Sequence, residues 1–199
     1  EIAVDLAFDP TEIIRGSNAV MTATVTNGTA PYTYSYQWRA TSTNAWATAG
    51  ALTAAVITNG WTGSIDYRVR VVDNYSSTSE WSSAASLTVL QPTVTVAWAE
   101  SVVTQSQYSA AVVTASVVNA STTVQYLWQQ SNSAAGWTDV GDTASAITNV
   151  WGTTVAYRAR HVDDNGVTSS WSSAATLTVE SSEIAVDLAF DPTEIIRGS

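Results

Sequence analysis

Apolar and polar side chains alternate with a period of two along this chain, and no segment shows the 3.6-residue period of a helix. Residues 19–27 (AVMTATVTN), 33–39 (TYSYQWR) and 66–73 (DYRVRVVD) show the alternation most clearly. Such runs predict strands with one buried face. Residues 52–59 and 86–90 have the same character, and Gly, Asn and Pro residues separate the runs. The pattern predicts an all-β chain of antiparallel strands.

A diverged internal repeat divides the chain into two halves. Aromatic residues and a nine-residue run recur 90 positions later: Trp38, Trp61, Tyr67 and WSSAASLTV (81–89) match Trp128, Trp151, Tyr157 and WSSAATLTV (171–179). We therefore predict two related domains, residues 1–91 and 92–182, each with about seven short strands, which is typical of a β-sandwich. The junction at residues 90–93 contains a proline and no flexible spacer, which favours a semi-rigid connection.

A second repeat is exact in every letter. Residues 183–199 have the same sequence as residues 1–17, EIAVDLAFDPTEIIRGS. We interpret them as the start of a third repeat, its first strand and a half, which cannot bury apolar side chains or pair its backbone alone. We expect this segment to pair with a neighbouring copy, in the place that residues 1–17 take in their own domain. The residues predicted to form this assembly strand are Ile184, Val186, Leu188, Phe190, Ile195 and Ile196.

Three settings are compatible with the exact repeat. The chain is a cut from a continuous array of 182-residue repeats, or separate subunits exchange the segment head to tail, or the duplication is engineered. The first setting needs only a long chain, whereas the second produces an open fibre that never closes on itself. The sequence leaves all three open.

Composition and charge narrow the classes of function. The chain has 17 acidic and 7 basic residues, a formal charge of -10, no Cys and no Lys. Nucleic-acid binding is not expected, because no basic patch is present to neutralise phosphates. Disulfides and thiolate metal sites are excluded. No run reaches the roughly 18 apolar residues of a membrane-spanning helix, and the first residues do not resemble a signal peptide, so we interpret the chain as a mature fragment or an excised piece.

Particular residues of the strands resemble a known family. Trp38, in TYSYQWR, stands where an immunoglobulin sandwich has its core tryptophan, and Tyr67 precedes by two residues Val69, which takes the place of the usual second cysteine. Ala159 takes that place in the second half. The chain resembles the bacterial immunoglobulin-like tandem repeats of large cell-surface and secreted proteins. Over residues 1–182 the resemblance implies two Cys-free immunoglobulin-like β-sandwiches, with Trp38 facing inward.

Arginines and tryptophans form the strongest candidate site. We predict two cation–π ladders, because strand alternation places the arginines outward beside a tryptophan that opens the next strand. A platform for a glycan or a protein partner is the alternative, with Trp46 and Trp137 as further exposed rings. Similar stacks occur in fibronectin-type receptor modules with a WSxWS run, of which EWSS here is a part. The two ladders are Arg68, Arg70 and Trp81, and Arg158, Arg160 and Trp171.

Few other residues offer chemistry. Asp163 and Asp164 are weak candidates for a Ca²⁺ site, since acidic loops supply oxygen ligands, but an Asp-Asn-Gly hairpin turn explains them as well. His161 is predicted to face inward, at the position of Val71 in the first half. No GxSxG motif and no pair of carboxylates in a cleft is evident, so we expect no enzymatic activity and no cofactor.

Together these features favour a structural repeat unit of an extracellular fibre or of a bacterial or archaeal adhesin stalk, whose partners are further copies of itself. The alternative is an adhesin module that binds a carbohydrate or another partner through exposed Trp and Tyr side chains. Repetition of the ladder in both halves favours the structural role, because a binding site need not be duplicated.

Overall fold

The computed structural model of the 199-residue chain consists of β-strands and connecting segments. It describes residues 1–41, 45–104, 110–120, 125–132, 136–164 and 166–181. No helix occurs in these ranges, so none there could cross a membrane. The prediction of an all-β sandwich fold is confirmed. The predicted third repeat, residues 183–199, lies outside the described part of the chain.

The first half of the chain forms eight strands in two sheets. They are β1 (Ala3–Asp9), β2 (Glu12–Ile14), β3 (Asn18–Thr26), β4 (Thr33–Ala40), β5 (Ala47–Thr48), β6 (Val56–Gly60), β7 (Ile65–Val72) and β8 (Ala85–Leu90). One sheet has the order β1-β3-β6 and the other the order β2-β8-β7-β4-β5. Neighbouring strands are antiparallel except β2, which runs parallel to β8. We call these two sheets domain 1.

The second half repeats this arrangement. Its strands are β9 (Thr93–Trp98), β10 (Val102–Thr104), β11 (Ala111–Val118), β12 (Gln125–Ser131), β13 (Thr138–Asp139), β14 (Ala146–Asn149), β15 (Val155–Val162) and β16 (Ala175–Glu180). The sheets have the orders β14-β11-β9 and β10-β16-β15-β12-β13, which match those of domain 1 strand for strand. We call these two sheets domain 2. Strand pairing among the described residues stays within each domain.

Each domain has its own core between its two sheets. Met21 and Leu87 are completely buried in domain 1, as are Val113 and Leu177 in domain 2. In domain 1 the core forms because β1 of the smaller sheet packs against β7 and β8 of the larger one. Burying a side chain of this kind contributes about 1.5–3 kcal/mol.

Aromatic rings meet edge to face at one end of each core. The ring centroid of Phe8 lies 5.3 Å from that of Trp61, and in domain 2 the centroid of Trp98 lies 4.9 Å from that of Trp151. Such pairs add about 0.5–1.5 kcal/mol each to the free energy gained from area burial. These contacts stabilise cores that have no disulfide.

The tryptophan predicted for the core of domain 1 is not buried there. Trp38 is 39% exposed, whereas Tyr36 is only 1% exposed and faces Val69 across the β4–β7 pair. The prediction from the immunoglobulin resemblance is therefore wrong by two residues. Alternation places both side chains on the same face of β4, but it does not show how far along the strand the opposing sheet covers that face.

Equivalent residues of the two domains are not 90 positions apart throughout. Phe8 pairs with Met21 in domain 1, and Trp98 pairs with Val113 in domain 2, so the first strands are 90 residues apart while β3 and β11 are 92 apart. The offset has returned to 90 at β7 and β15. Domain 2 therefore has two extra residues before β11 and two fewer after β12.

The counterpart of Trp128 in domain 1 is consequently Tyr36. Trp128 faces Ala159 across the β12–β15 pair, as Tyr36 faces Val69. The Tyr36 hydroxyl donates a hydrogen bond to the carbonyl of Ala54, and the Trp128 indole N–H donates one to the carbonyl of residue 144, both at 2.8 Å. Two different side chains thus fill equivalent core positions in the two domains and bond equivalent carbonyl groups.

Two predicted strand boundaries are wrong. β6 begins at Val56, four residues after the start of the predicted strand 52–59, and ends at Gly60. β8 begins at Ala85, so Trp81 lies in an irregular segment and does not open a strand.

Candidate functional site

Arginine and tryptophan side chains stack on the outer face of the larger sheet of domain 1. The guanidinium groups of Arg39 and Arg68 each lie 4.5 Å from the centroid of the Trp46 ring. Those of Arg68 and Arg70 lie 4.9 Å and 5.0 Å from the centroid of Trp81. These five residues form one continuous assembly, which we call the arginine–tryptophan stack.

Strand alternation and neighbouring polar groups position the guanidinium groups. Arg68 projects outward from β7 because its neighbour Val69 points into the core. Gln37, directly opposite on β4, accepts hydrogen bonds from Arg68 Nε at 2.9 Å and Nη2 at 2.7 Å. Arg39 Nε donates to Asp66 Oδ2 at 2.8 Å. These bonds fix the planes of two arginines against the Trp46 ring.

Serines hold Trp81 against the edge of β7. The segment Thr78–Ser82 runs beside β7, and the hydroxyl oxygens of Ser79 and Ser82 accept the backbone N–H groups of Val71 and Val69 at 3.0 Å and 3.1 Å. The backbone N–H groups of the same serines donate to the carbonyls of the same valines at 2.9 Å and 2.8 Å. Each serine therefore satisfies a donor and an acceptor on the strand edge, and Trp81 between them is aimed at the arginines.

Domain 2 contains the same stack in a shorter form. The guanidinium of Arg158 lies 4.3 Å from the Trp137 centroid and 4.8 Å from that of Trp171, and Arg160 lies 4.7 Å from Trp171. Ser169 and Ser172 repeat the serine contacts with the edge of β15. Ser131 takes the position of Arg39, by the register of β12 with β15 and of β4 with β7.

All six residues of the predicted ladders come together in the two stacks. Trp46 and Trp137, expected as separate exposed rings, are half-buried members of the same stacks. The sequence reasoning missed the serines, although a signal was present: Thr-Ser-x-Trp-Ser occurs at residues 78–82 and again at 168–172.

The stacks have the chemistry of a structural element. Each cation–π contact at an exposed site contributes about 0.5–1 kcal/mol, so the contacts in domain 1 together stabilise it by a few kcal/mol. Trp46 and Trp81 are each flanked by two guanidinium groups. The two guanidinium groups at each of these rings compete with a sugar for ring surface, whereas Trp137 has one such contact, with Arg158, among the described residues.

The acidic turn of domain 2 uses its first carboxylate to close the turn. Asp163 Oδ1 accepts the backbone N–H of Val167 at 2.7 Å, and the backbone N–H of Gly166 donates to the carbonyl of Asp163 at 3.0 Å. Asp164 is exposed. Within the described ranges no three His, Asp or Glu residues lie together in a group that could hold a metal ion.

His161 lies in the core of domain 2 with an exposure of 1%. Among the described residues neither ring nitrogen has a hydrogen-bond partner, while the backbone N–H donates to Ser169 Oγ at 2.9 Å. The corresponding residue of domain 1 is Val71, which is fully buried and apolar. The imidazole therefore brings two unsatisfied polar atoms to a place where a valine fits.

The predicted assembly strand, from Ile184 to Ile196, lies outside the described residues. Its identical counterpart, residues 1–17, is described in full. The side chains of that counterpart that belong to the core are Ile2, Val4, Phe8 and Ile13, with Leu6 packed against it.

No protein-family model matches the chain, and no curated protein matches it either. Similar solved structures are the fibronectin(III)-like modules of Clostridium thermocellum CbhA (14% identity, 96% of this chain and 100% of that chain, TM-score 0.33), murine CEACAM1b (12%, 89% and 100%, 0.31) and the FN1–FN3 domains of chicken CNTN1 (10%, 85% and 65%, 0.32).

The chain has a tandem immunoglobulin-like β-sandwich fold. In each domain a three-stranded sheet faces a five-stranded sheet, and the strand orders are the same in both domains. Folds of this class serve structural and cell-surface modules, and the fold does not select one function among them.

Proposed function

We propose that the chain is a structural repeat unit of an extracellular fibre or cell-surface adhesin stalk, assembled through the segment that occurs twice, at residues 1–17 and 183–199. The observation that carries the proposal is the exact repetition of a segment on which domain 1 depends for its core. The partners are other copies of the same chain or the next repeat of a continuous array.

Residues 1–17 join the two sheets of domain 1. β1 is an edge strand of the smaller sheet beside β3, and β2 is an edge strand of the larger sheet beside β8. Between them the chain crosses from one sheet to the other and buries Phe8 and Ile13. After β2, the backbone N–H of Arg15 donates to the carbonyl of Leu90 at 2.9 Å. Loss of this segment would expose one whole side of the core.

The repeated segment has the same side chains in the same order as residues 1–17, so it would pair in the same register. It can therefore replace residues 1–17 of a neighbouring copy at little cost beyond the entropy of association. In a continuous array it opens the next domain of the first kind, and between separate chains it links them head to tail. Both arrangements extend in one direction without closing, which suits a stalk or fibre.

The arginine–tryptophan stacks support a mechanical role. They occur at the same position in both domains, and each ties β4 or β12, β7 or β15 and the serine segment together on one outer face. A device that repeats with the domain is expected of a load-bearing architecture. The carbohydrate-binding alternative has less support, because two guanidinium groups flank each of Trp46 and Trp81.

Deletion of residues 1–17 tests the exchange directly. The shortened chain lacks its own first strands but keeps residues 183–199, so these are expected to fill domain 1 of another copy. We expect concentration-dependent head-to-tail polymers, measured by size-exclusion chromatography with light scattering and seen as filaments by electron microscopy. A shortened chain that stays monomeric at every concentration contradicts the proposal.

The matched control carries the same deletion together with Phe190→Glu. Phe190 corresponds to Phe8, whose ring is buried against Trp61, so a charge there should prevent insertion. We expect this variant to remain monomeric with domain 1 unfolded. Excess synthetic peptide with the sequence of residues 1–17 should shorten the polymers by capping acceptor domains.

A further inference from the structure

The first contact that distinguishes the domains joins the start of β1 to the turn after β3. A Cβ atom on Gly28 would lie 2.7 Å from Cδ1 of Ile2 and 3.0 Å from Cε1 of Tyr32. A real Cβ atom does not lie so close to another atom, so a side chain at residue 28 requires the end of the Ile2 side chain to shift. The size of residue 28 therefore restricts the conformation that residue 2 can take.

The corresponding positions in domain 2 differ on both sides of this contact. Thr93 pairs with Val118 as Ala3 pairs with residue 26, so Pro92 corresponds to Ile2 and Ala120 to Gly28. The residues just before them, Asn27 and Asn119, have the same positive φ of 58°. Domain 2 combines a larger turn residue with a shorter residue on the first strand.

A second contact differs in the same compensating way. Phe8 lies directly opposite Met21, whereas Trp98 lies directly opposite Val113. The larger ring faces the smaller aliphatic side chain, and the smaller ring faces the larger one. Trp98 Nε1 also donates to the carbonyl of Ala175 at 3.0 Å, a bond that phenylalanine cannot make.

The end of the segment provides a third difference. Arg15 Nη1 donates to Gln91 Oε1 at 3.1 Å, just after the last strand of domain 1. Ser181 stands at the corresponding position after β16. Its short side chain does not reach as far as that of glutamine. All three differences concern residues that the first segment contacts.

From these contacts we infer that each domain selects its own kind of first segment. A segment with the sequence of residues 1–17, and hence residues 183–199, fits a domain of the first kind and is rejected by a domain of the second kind. The inference rests on the proposed function in one respect only, namely that a neighbouring copy is the partner. In an assembly this selection keeps the two kinds of domain in strict alternation, because the repeated segment finds one acceptor and not the other.

The selection at Gly28 is tested by coupling in the full 199-residue chain. Gly28→Ala is expected to lower the melting temperature of domain 1 by about 4–8 °C, the shift that about 1 kcal/mol of destabilisation produces in a domain of this size. In a chain that already carries Ile2→Ala, adding Gly28→Ala should lower the melting temperature of domain 1 by less than half of that value. Gly50→Ala is the control, because nothing lies within 4 Å of a Cβ there.

The rejection by domain 2 is tested by exchanging the strand itself. Replacing residues 92–98 (PTVTVAW) with the sequence of residues 2–8 (IAVDLAF) is expected to lower the melting temperature of domain 2. Adding Val113→Met and Ala120→Gly to the same chain should restore at least half of the loss. Calorimetric transitions are assigned with Leu87→Ala and Leu177→Ala, which remove fully buried side chains from one domain each.

The outcomes separate this inference from the proposed function. Additive shifts for Gly28→Ala and Ile2→Ala, or a strand exchange that domain 2 tolerates without loss, overturn the selection but leave the fibre intact. A deletion variant that never polymerises overturns the fibre but leaves the coupled melting temperatures unchanged. Coupled shifts and rescue by the two compensating substitutions support the selection.

Discussion

Single residues at equivalent core positions show what each domain tolerates. Tyr36 and Trp128 occupy equivalent positions and bond equivalent carbonyl groups. Val71 and His161 also occupy equivalent positions, but one side chain is apolar and the other is polar. A buried polar atom without a partner costs about 1–3 kcal/mol. At this position domain 2 therefore has a buried imidazole that no described residue satisfies, whereas domain 1 has an apolar side chain.

We expect His161→Val to stabilise domain 2 by about 1–3 kcal/mol, because it removes two unsatisfied nitrogens and places in domain 2 the residue that domain 1 uses. Chemical denaturation monitored by tryptophan fluorescence measures the change. The reciprocal variant Val71→His should destabilise domain 1. A destabilised His161→Val protein would show that the imidazole has a partner in solution.

Tyr36 gives domain 1 a dependence on alkaline pH. Burial, and to a smaller extent the neighbouring Tyr34, whose ring stacks on it, raise the pKa of Tyr36 to about 12. Because the folded state favours the neutral phenol, this contribution is complete below the ordinary tyrosine pKa of 10 and is lost as pH rises from 10 to 12. The melting temperature of domain 1 should therefore fall over that pH interval. Tyr36→Phe should show a smaller decrease, and an equal decrease would contradict this origin.

At the scale of elements, the arginine–tryptophan stack ties strands to an irregular segment. Arg68 contacts Trp46 and Trp81 and bonds Gln37, so one side chain links β4, β7 and the serine segment. Without these contacts the segment would be held to β7 by the bonds of Ser79 and Ser82 and by the bridge between Val72 and Thr78.

We expect Arg68→Met to destabilise domain 1 by about 1–3 kcal/mol, since methionine keeps the aliphatic stem but loses two cation–π contacts and the bonds to Gln37. Arg158→Met should have a similar effect on domain 2, where the same contacts recur. Arg15→Met serves as a matched arginine outside the stacks. Denaturation midpoints measure all three, and an unchanged midpoint for Arg68→Met would exclude a stabilising stack.

At the scale of the whole molecule, repetition is the dominant property. Two domains of one fold follow each other with two residues between β8 and β9, and the segment that opens domain 1 recurs after domain 2. An architecture of this kind gains length by adding units, and each unit keeps its own core.

Adding a second copy of residues 18–91 after Ser199 should produce a third folded domain, because residues 183–199 supply its first strands. The calorimetric enthalpy of the domain 1 transition should then double at an unchanged melting temperature. The same extension with Phe190→Glu should leave the added copy unfolded. An unfolded copy in the unsubstituted extension would contradict the equivalence of the two segments.

Much of the fold and part of the site could be predicted from the sequence. The alternation along β7 placed Val69 inward and Arg68 outward, and repetition paired each ladder with its copy. The serines escaped notice because their partners are backbone groups of a strand edge, which only the folded chain brings near. The contacts of Trp46 with Arg39 and Arg68 were missed for the same reason, because only the folded chain brings these residues together.

The sequence by itself determined the class of fold, the tandem repetition and the side of each strand that faces the core, since these depend on local periodicity. Only the tertiary structure decided that Tyr36 and not Trp38 fills the core, that the offset shifts between strands, and that Ile2 packs against Gly28. These features depend on where two distant segments meet and how much space remains between them. Packing of this kind depends on both contacting segments, so the sequence of one strand alone does not determine it.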